Sequence, residues 1–128
     1  MKKLFFLTVF ALATLTKATA QNKIDKLVDQ FNTVGSASYT SVVERNPKTR
    51  EVQKVVKVLK IGGEQARQLR QAFSEEGRKE TLMEVRRDGK VIESLTTESP
   101  RDVRIYQLEH DGSPHLPTVK VTIIVKIK

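Results

Sequence analysis

A two-residue repeat near the carboxyl end constrains the fold of this chain more than any other feature. Residues 118–127 (TVKVTIIVKI) place apolar side chains at the odd positions and threonine or lysine at the even positions, with Ile124 as the exception. Successive side chains of a strand point to opposite faces, so this segment predicts a strand with one buried and one solvated face. Antiparallel sheets commonly have this arrangement.

Five further segments are rich in β-branched residues or flank turn signals, and they predict strands as well. They are residues 38–45, 50–61, 78–87, 90–97 and 102–110. Asn46-Pro47 predicts a turn between the first two, and Asp88-Gly89 predicts a tight hairpin between the next two. The apolar pairs Val55-Val56 and Val58-Leu59 interrupt the alternation of the second segment, which indicates either a central strand buried on two faces or a bulge.

Two segments have the spacing of amphipathic helices. In residues 22–34 the apolar side chains recur three and four positions apart, Asn22 is suited to cap the start, and Asp25 falls on the polar side. Residues 64–76 form a second, thinner apolar stripe, and Gly77 predicts its end. The sequence therefore predicts the α+β class: an antiparallel sheet of about six strands with two helices on one face, in the order α-β-β-α-β-β-β-β.

The amino-terminal residues have the pattern of an export signal. Lys2 and Lys3 precede an apolar run over residues 4–15, and Ala18-Thr19-Ala20 supplies small residues for cleavage after Ala20. The run is shorter than the roughly 20 residues of a membrane-spanning helix. We therefore expect a cleaved signal peptide over residues 1–20, a single domain over residues 21–128 with no transmembrane segment, and a periplasmic or secreted location.

The composition excludes several chemistries. The chain has no cysteine, so disulfides, thiol catalysis and thiolate metal sites are absent. The full chain carries a net charge of +8, and loss of Lys2, Lys3 and Lys17 with the leader leaves a basic protein of +5. Acidic and basic residues are interleaved, which favours anionic partners only mildly. An exported protein is not expected to meet nucleic acid.

One acid–base arrangement follows from the predicted hairpin. A two-residue turn at Asp88-Gly89 would place Glu84 opposite Glu93, and paired carboxylates with His110 as an accessory group would suit a small hydrolase or lyase. A solvated surface pair, or a bulge that separates the two carboxylates, is the competing interpretation.

A second group of polar residues lies in the loop HDGSPH. His110, Asp111 and His115 are of the types that bind zinc, but their spacing matches no standard zinc motif, and a loop rich in turn residues explains them equally well. No nucleotide or cofactor motif is present, so the sequence predicts no cofactor.

The third candidate site is a group of lysines. Lys54, Lys57 and Lys60 recur along one predicted strand and could contact an anionic glycan or a lipid surface. Lysines on a strand also oppose edge-to-edge aggregation. Aromatic residues, which serve as stacking platforms for sugars and nucleic acids, are scarce after the leader.

Three parts of the chain carry a family resemblance: the leader followed by NKIDKLVDQF, the segment SYTSVVERNPKTREVQKVVKVL and the closing KVTIIVKIK. They resemble small exported proteins of Bacteroidetes that are catalogued as a domain of unknown function. The resemblance implies an envelope location in a Gram-negative cell and transfers no site residues. We therefore expect a non-enzymatic envelope protein that binds another macromolecule, an envelope protein or a glycan. An exposed sheet edge would supply the mechanism by pairing with an extended segment. The alternatives are the carboxylate-pair enzyme and the anionic glycan or lipid binder.

Overall fold

The computed structural model describes residues 22–79, 81–112 and 118–128. It contains helices α1 (Lys23–Phe31) and α2 (Gly63–Lys79). The six strands are β1 (Ser38–Arg45), β2 (Val52–Gly62), β3 (Met83–Arg87), β4 (Lys90–Glu98), β5 (Asp102–His110) and β6 (Thr118–Ile127). The predicted class and the predicted order of elements are confirmed.

All six strands form one antiparallel sheet in the spatial order β1-β2-β6-β5-β4-β3. Each strand lies beside the next one in the chain except at one step: α2 connects β2 to β3, which lies at the opposite edge of the sheet. Strand β6 then lies between β2 and β5. Strand β2 is therefore central, as one interpretation of its apolar pairs predicted, but the predicted burial on two faces is wrong, because its buried residues, Leu59 and Ile61, share one face. Strands β1 and β3 are the two edges of the sheet.

The hydrophobic core lies between the two helices and one face of the sheet. The odd-numbered side chains of β6 from Val119 to Val125 point into it, as the alternation predicted, and α1 and α2 contribute the opposite wall. Ile127, at the end of the strand, is exposed. The largest fully buried side chains include Tyr106, Phe73, Ile24 and Leu59. Neither helix in the described residues is long and apolar enough to cross a membrane.

Helix α2 is longer than the sequence indicated. Gly77 does not end it; the helix continues to Lys79, and β3 begins only at Met83 rather than at residue 78. Arg78 and Lys79 in the last turn interact favourably with the negative end of the helix dipole. A Cβ at position 77 would lie 3.1 Å from the Cβ of Leu82, so the glycine permits a close approach of the following chain.

Helix α1 ends at Phe31, three residues earlier than predicted, and Asn22 caps its start as expected. The Asn22 side chain accepts a hydrogen bond from the Asp25 N–H at 3.1 Å, and the Asp25 carboxylate accepts one from the Asn22 N–H at 3.2 Å. These reciprocal bonds form a capping box, which satisfies two amide groups that the helix itself leaves without partners.

Asp25 is the main departure from the predicted pattern, because it is 3% exposed instead of lying on the solvated side of α1. The Tyr106 hydroxyl donates a hydrogen bond to it at 2.7 Å, and the Arg104 guanidinium lies 3.5 Å away. Burial and the neighbouring Asp25 carboxylate raise the pKa of the Tyr106 phenol. Burial alone would lower the pKa of Arg104, but Asp25 raises it. This buried network ties the start of α1 to strand β5.

Candidate functional site

The sheet has one covered face and one face that no described residue covers, which we call the open face. Directly opposed residues of antiparallel strands share a face, so the strand register identifies its members. Its centre is apolar and consists of side chains from four adjacent strands: Val42, Val56, Ile124 and Ile105 in one row, with Val58 beside them. Ile124, the exception to the predicted alternation, lies in this row.

Four lysines flank the apolar centre of the open face. Lys54 lies directly opposite Lys126, and Lys60 lies directly opposite Lys120, so each end of the centre carries a pair of like charges on the neighbouring strands β2 and β6. The members of each pair are roughly 5 Å apart at Cβ, and such like-charge neighbours destabilise a sheet. None of the four ammonium groups forms an ion pair with another described side chain.

The third lysine of the predicted cluster lies elsewhere. Lys57 is an odd-numbered residue of β2, so it shares the covered face with Leu59, and its ammonium group lies 3.6 Å from the Asp29 carboxylate of α1. The structure therefore brings Lys54 and Lys60 together on one face and separates Lys57 from them. The lysine group on the open face therefore consists of Lys54, Lys60, Lys120 and Lys126.

The glutamates of the open face are mostly neutralised within the chain. Glu109 lies 3.5 Å from Lys90, and Lys128 donates a hydrogen bond to Glu98 at 2.5 Å. That hydrogen bond from Lys128 lowers the pKa of Glu98, so the carboxylate stays ionised. The remaining acid, Glu44, lies opposite Lys54 on the edge strand β1. The open face consequently carries an excess of positive charge.

The two edge strands differ in how well they are protected. Strand β3 has five residues, three of them charged (MEVRR). Strand β1 has eight residues, and Ser38–Val43 contains neither a charge nor a proline. Its two valines are prominent: Val42 is 56% exposed and Val43 is 47% exposed, on opposite faces of the sheet. Because short strands, charges and prolines are the usual devices that prevent edge pairing, β1 is the less protected edge.

The predicted carboxylate pair has the predicted register. Glu84 lies opposite Glu93 across a tight turn in which Asp88 and Gly89 both have positive φ. Glu84 lies 3.5 Å from the Arg86 guanidinium, and Glu93 lies 3.2 Å from Nε2 of His110.

His110 is buried, and both of its ring nitrogens have partners. The Gly112 N–H donates a hydrogen bond to Nδ1 at 2.9 Å, so the neutral ring carries its proton on Nε2 and donates it to Glu93. A ring held in this way joins the end of β5 to β4. The geometry favours a structural role for the three side chains, and catalysis by Glu84 and Glu93 stays a prediction.

The predicted metal group lies only partly within the described residues, because His115 is outside them. Among residues 22–79, 81–112 and 118–128, no three His, Asp or Glu side chains come close enough together to hold a metal ion. His110 uses its ring nitrogens for Glu93 and Gly112, as described above, and Asp111 follows it at the end of β5.

Sequence reasoning missed Lys120 and Lys126 because it grouped lysines along one strand. A signal was present: both occupy the solvated, even-numbered positions of β6. Their proximity to Lys54 and Lys60 depends on β6 pairing with β2, a pairing across more than fifty residues of chain that no local pattern indicates.

The model of a family described as a domain of unknown function (DUF5024) matches residues 21–124. The matched region includes all the described elements except the last residues of β6. No curated protein matches the chain. The family match agrees with the resemblance to a domain of unknown function, and its description names no activity, ligand or partner.

Proposed function

The chain belongs to the DUF5024 family, whose description gives no function, and we propose one from the structure of the sheet. We propose that the protein is an exported, non-enzymatic module that binds an extended segment of another polypeptide. The observation that carries the proposal is the edge strand β1, whose stretch Ser38–Val43 contains neither a charged residue nor a proline. In β-augmentation the partner segment hydrogen-bonds to such an edge and gains affinity from main-chain contacts.

The side chains of β1 favour a partner with small apolar residues. Val42 and Val43 point to opposite faces, so a strand added beside β1 would pack against one valine on each face. Burial of a valine side chain stabilises by about 1.5 kcal/mol or more. A bulge between Glu44 and Arg45 distorts the far end of the strand, which confines the docking stretch to Ser38–Val43.

Export is supported by the leader pattern and by the start of the family match at residue 21, which follows the proposed cleavage site. The amino-terminal residue of the protein purified from cell envelopes tests this directly. We expect Gln21, as glutamine or as its cyclised form. A protein that retains residues 1–20 after purification from the envelope would contradict processing at Ala20.

The edge proposal has a matched pair of variants. Val43→Lys places a charge on β1, whereas Val85→Lys places the same charge on the other edge at a side chain of nearly equal exposure, 47% against 45%. Tagged residues 21–128, which contain the core of the described part of the chain, are cross-linked in envelope extract and the captured proteins are identified. We expect the wild type and Val85→Lys to capture the same partner and Val43→Lys to lose it. Capture by Val43→Lys at the wild-type level would refute binding at β1.

A further inference from the structure

The open face combines an apolar centre with an excess of positive charge, and the β1 edge does not explain that combination. Six cationic side chains of the strands point to it, and three glutamates do. The cations are Lys54, Lys60, Lys90, Lys120, Lys126 and Arg87; the acids are Glu44, Glu98 and Glu109. Glu98 and Glu109 have ion-pair partners within the chain, and no described side chain forms an ion pair with the two lysine pairs of β2 and β6, so these pairs remain available to an external anion. Glu44 and Glu109, which lie opposite Lys54 and Lys120, reduce the positive charge at two of the four positions.

The spacing of the lysine pairs indicates what kind of anion fits. Lys54 and Lys60 are six residues apart in β2, which corresponds to about 20 Å along a strand. A small anionic ligand would reach only one pair. A surface that presents anions at many positions would engage both pairs at once, without any fixed register.

The space between the lysine pairs suits close approach to such a surface. Val56, Val58 and Ile124 have short side chains, so the longer lysines project beyond them with their ammonium groups outermost. No charged group at the centre would have to lose its hydration when the face approaches headgroups. The binding energy is then mainly electrostatic, with a small apolar contribution.

Two other occupants fit the face less well. A second copy stacked face to face would bring two positively charged surfaces together, which opposes association. A glycan or a single-stranded nucleic acid binds through aromatic stacking platforms, and the strand register places no aromatic side chain on the open face.

We propose that the open face of the sheet binds an anionic phospholipid surface, with Lys54, Lys60, Lys120 and Lys126 as the residues that contact the headgroups. The protein would lie with its sheet parallel to the bilayer and its helices facing away. The four lysines lie on β2 and β6, so a membrane-bound molecule keeps the hydrogen-bonding edge of β1 free for a polypeptide partner, although Val42 of β1 belongs to the open face.

The test is co-sedimentation of the protein with vesicles of two compositions. One kind contains equal parts of phosphatidylcholine and phosphatidylglycerol, and the other contains phosphatidylcholine alone. We expect binding to the anionic vesicles at low salt and loss of binding at roughly 1 M salt, where the screening length falls to about 3 Å. Binding to the neutral vesicles at the same level would overturn the proposal, as would no binding to either kind.

A pair of double variants separates the position of the charges from their number. A basic residue near an anionic surface contributes about 1 kcal/mol, or roughly fivefold in partitioning, so Lys54→Gln/Lys126→Gln should bind about 25-fold more weakly. The control Lys26→Gln/Arg78→Gln removes the same charge from exposed positions of α1 and α2. With both double variants compared at about 0.1 M salt, where the screening length is about 10 Å, the control should weaken binding no more than about threefold, because its charges lie on the helices that face away from the bilayer.

Each further outcome is decisive. Equal weakening by the two double variants would show that only net charge matters and would refute the assignment to the open face. Retention of an acidic protein by the immobilised chain, with the anionic vesicles unbound, would assign the same lysines to a protein partner and overturn the lipid proposal. Thermal unfolding of each variant checks that the fold is intact, and removal of like-charged neighbours is expected to leave it so.

Discussion

The hydrogen bond from Tyr106 to Asp25 makes a measurable contribution to stability. Tyr106 is 1% exposed, its hydroxyl lies 2.7 Å from the carboxylate, and Tyr106→Phe removes that donor with almost no change in shape. A hydrogen bond to a charged group contributes about 1.5–3 kcal/mol. Asp25 keeps the Asn22 N–H at 3.2 Å and the Arg104 guanidinium at 3.5 Å, so we expect a loss near the lower limit of that range.

That loss lowers the melting temperature noticeably in a domain of this size. At about 4–8 °C per kcal/mol, Tyr106→Phe should melt roughly 6–12 °C below the wild type at neutral pH. The control is Tyr39→Phe, which deletes a hydroxyl that makes no hydrogen bond with the described part of the chain and should leave the melting temperature nearly unchanged.

Alkaline pH provides a second, independent measurement on the same pair. Burial and Asp25 raise the pKa of Tyr106 in the folded protein, whereas in the unfolded chain the phenol titrates near pH 10. Above about pH 10 the folded state therefore binds one proton more than the unfolded state, and wild-type stability falls by up to about 1.4 kcal/mol per pH unit. Phenylalanine cannot titrate, so the stability difference between wild type and variant should narrow as the pH rises.

Urea unfolding of the wild type, Tyr106→Phe and Tyr39→Phe at neutral pH and at about pH 10 and 11 measures both effects. A difference below about 0.5 kcal/mol at neutral pH would show that Asp25 does not depend on this donor. A stability difference that stays constant or widens above pH 10 would show that Tyr106 is not protected from ionisation by the fold.

Two further substitutions test local structure, each by thermal or urea unfolding. Gly89→Ala forces a side chain into a position with φ of +76° and should cost about 1–2 kcal/mol, whereas Gly35→Ala, where a Cβ meets nothing within 4 Å, should be nearly neutral; equal effects would contradict the tight turn. Asn22→Ala removes half of the capping box and should cost about 1 kcal/mol, and an unchanged stability would show that Asp25 alone sustains the helix start.

The prediction of α2 shows where local signals mislead. Its apolar stripe, Ala66, Leu69, Ala72 and Phe73, is buried as the spacing indicated. The end was misplaced because glycine is a common helix terminator, whereas Gly77 lies inside the helix, where a Cβ would lie 3.1 Å from the Cβ of Leu82. The close packing of the chain that follows the helix accompanies the continuation of α2 past Gly77, and the residue type alone does not indicate that packing.

Asp25 shows the same limit for polar residues. Asp25 stands three residues after the capping residue Asn22, where an acidic side chain can complete a capping box, but the helical period predicted that it lies on the solvated side. It is buried because Tyr106 and Arg104, some eighty residues later in the chain, supply a hydrogen bond and a countercharge. A carboxylate is buried only when it is paired, and the pair is formed by the fold.

Side-chain periodicity and turn residues act over a few positions, so the sequence predicts local features. These are the strands, the helices, the hairpin register at Glu84 and Glu93, and the separation of a buried from a solvated face. The order of the strands and the identity of the edges follow from the tertiary structure alone. When β6 inserts between β2 and β5, it brings Lys120 and Lys126 beside Lys60 and Lys54 and leaves β1 at the edge. The energy of that pairing comes from contacts between segments far apart in the chain, so both proposed binding surfaces exist only in the folded sheet.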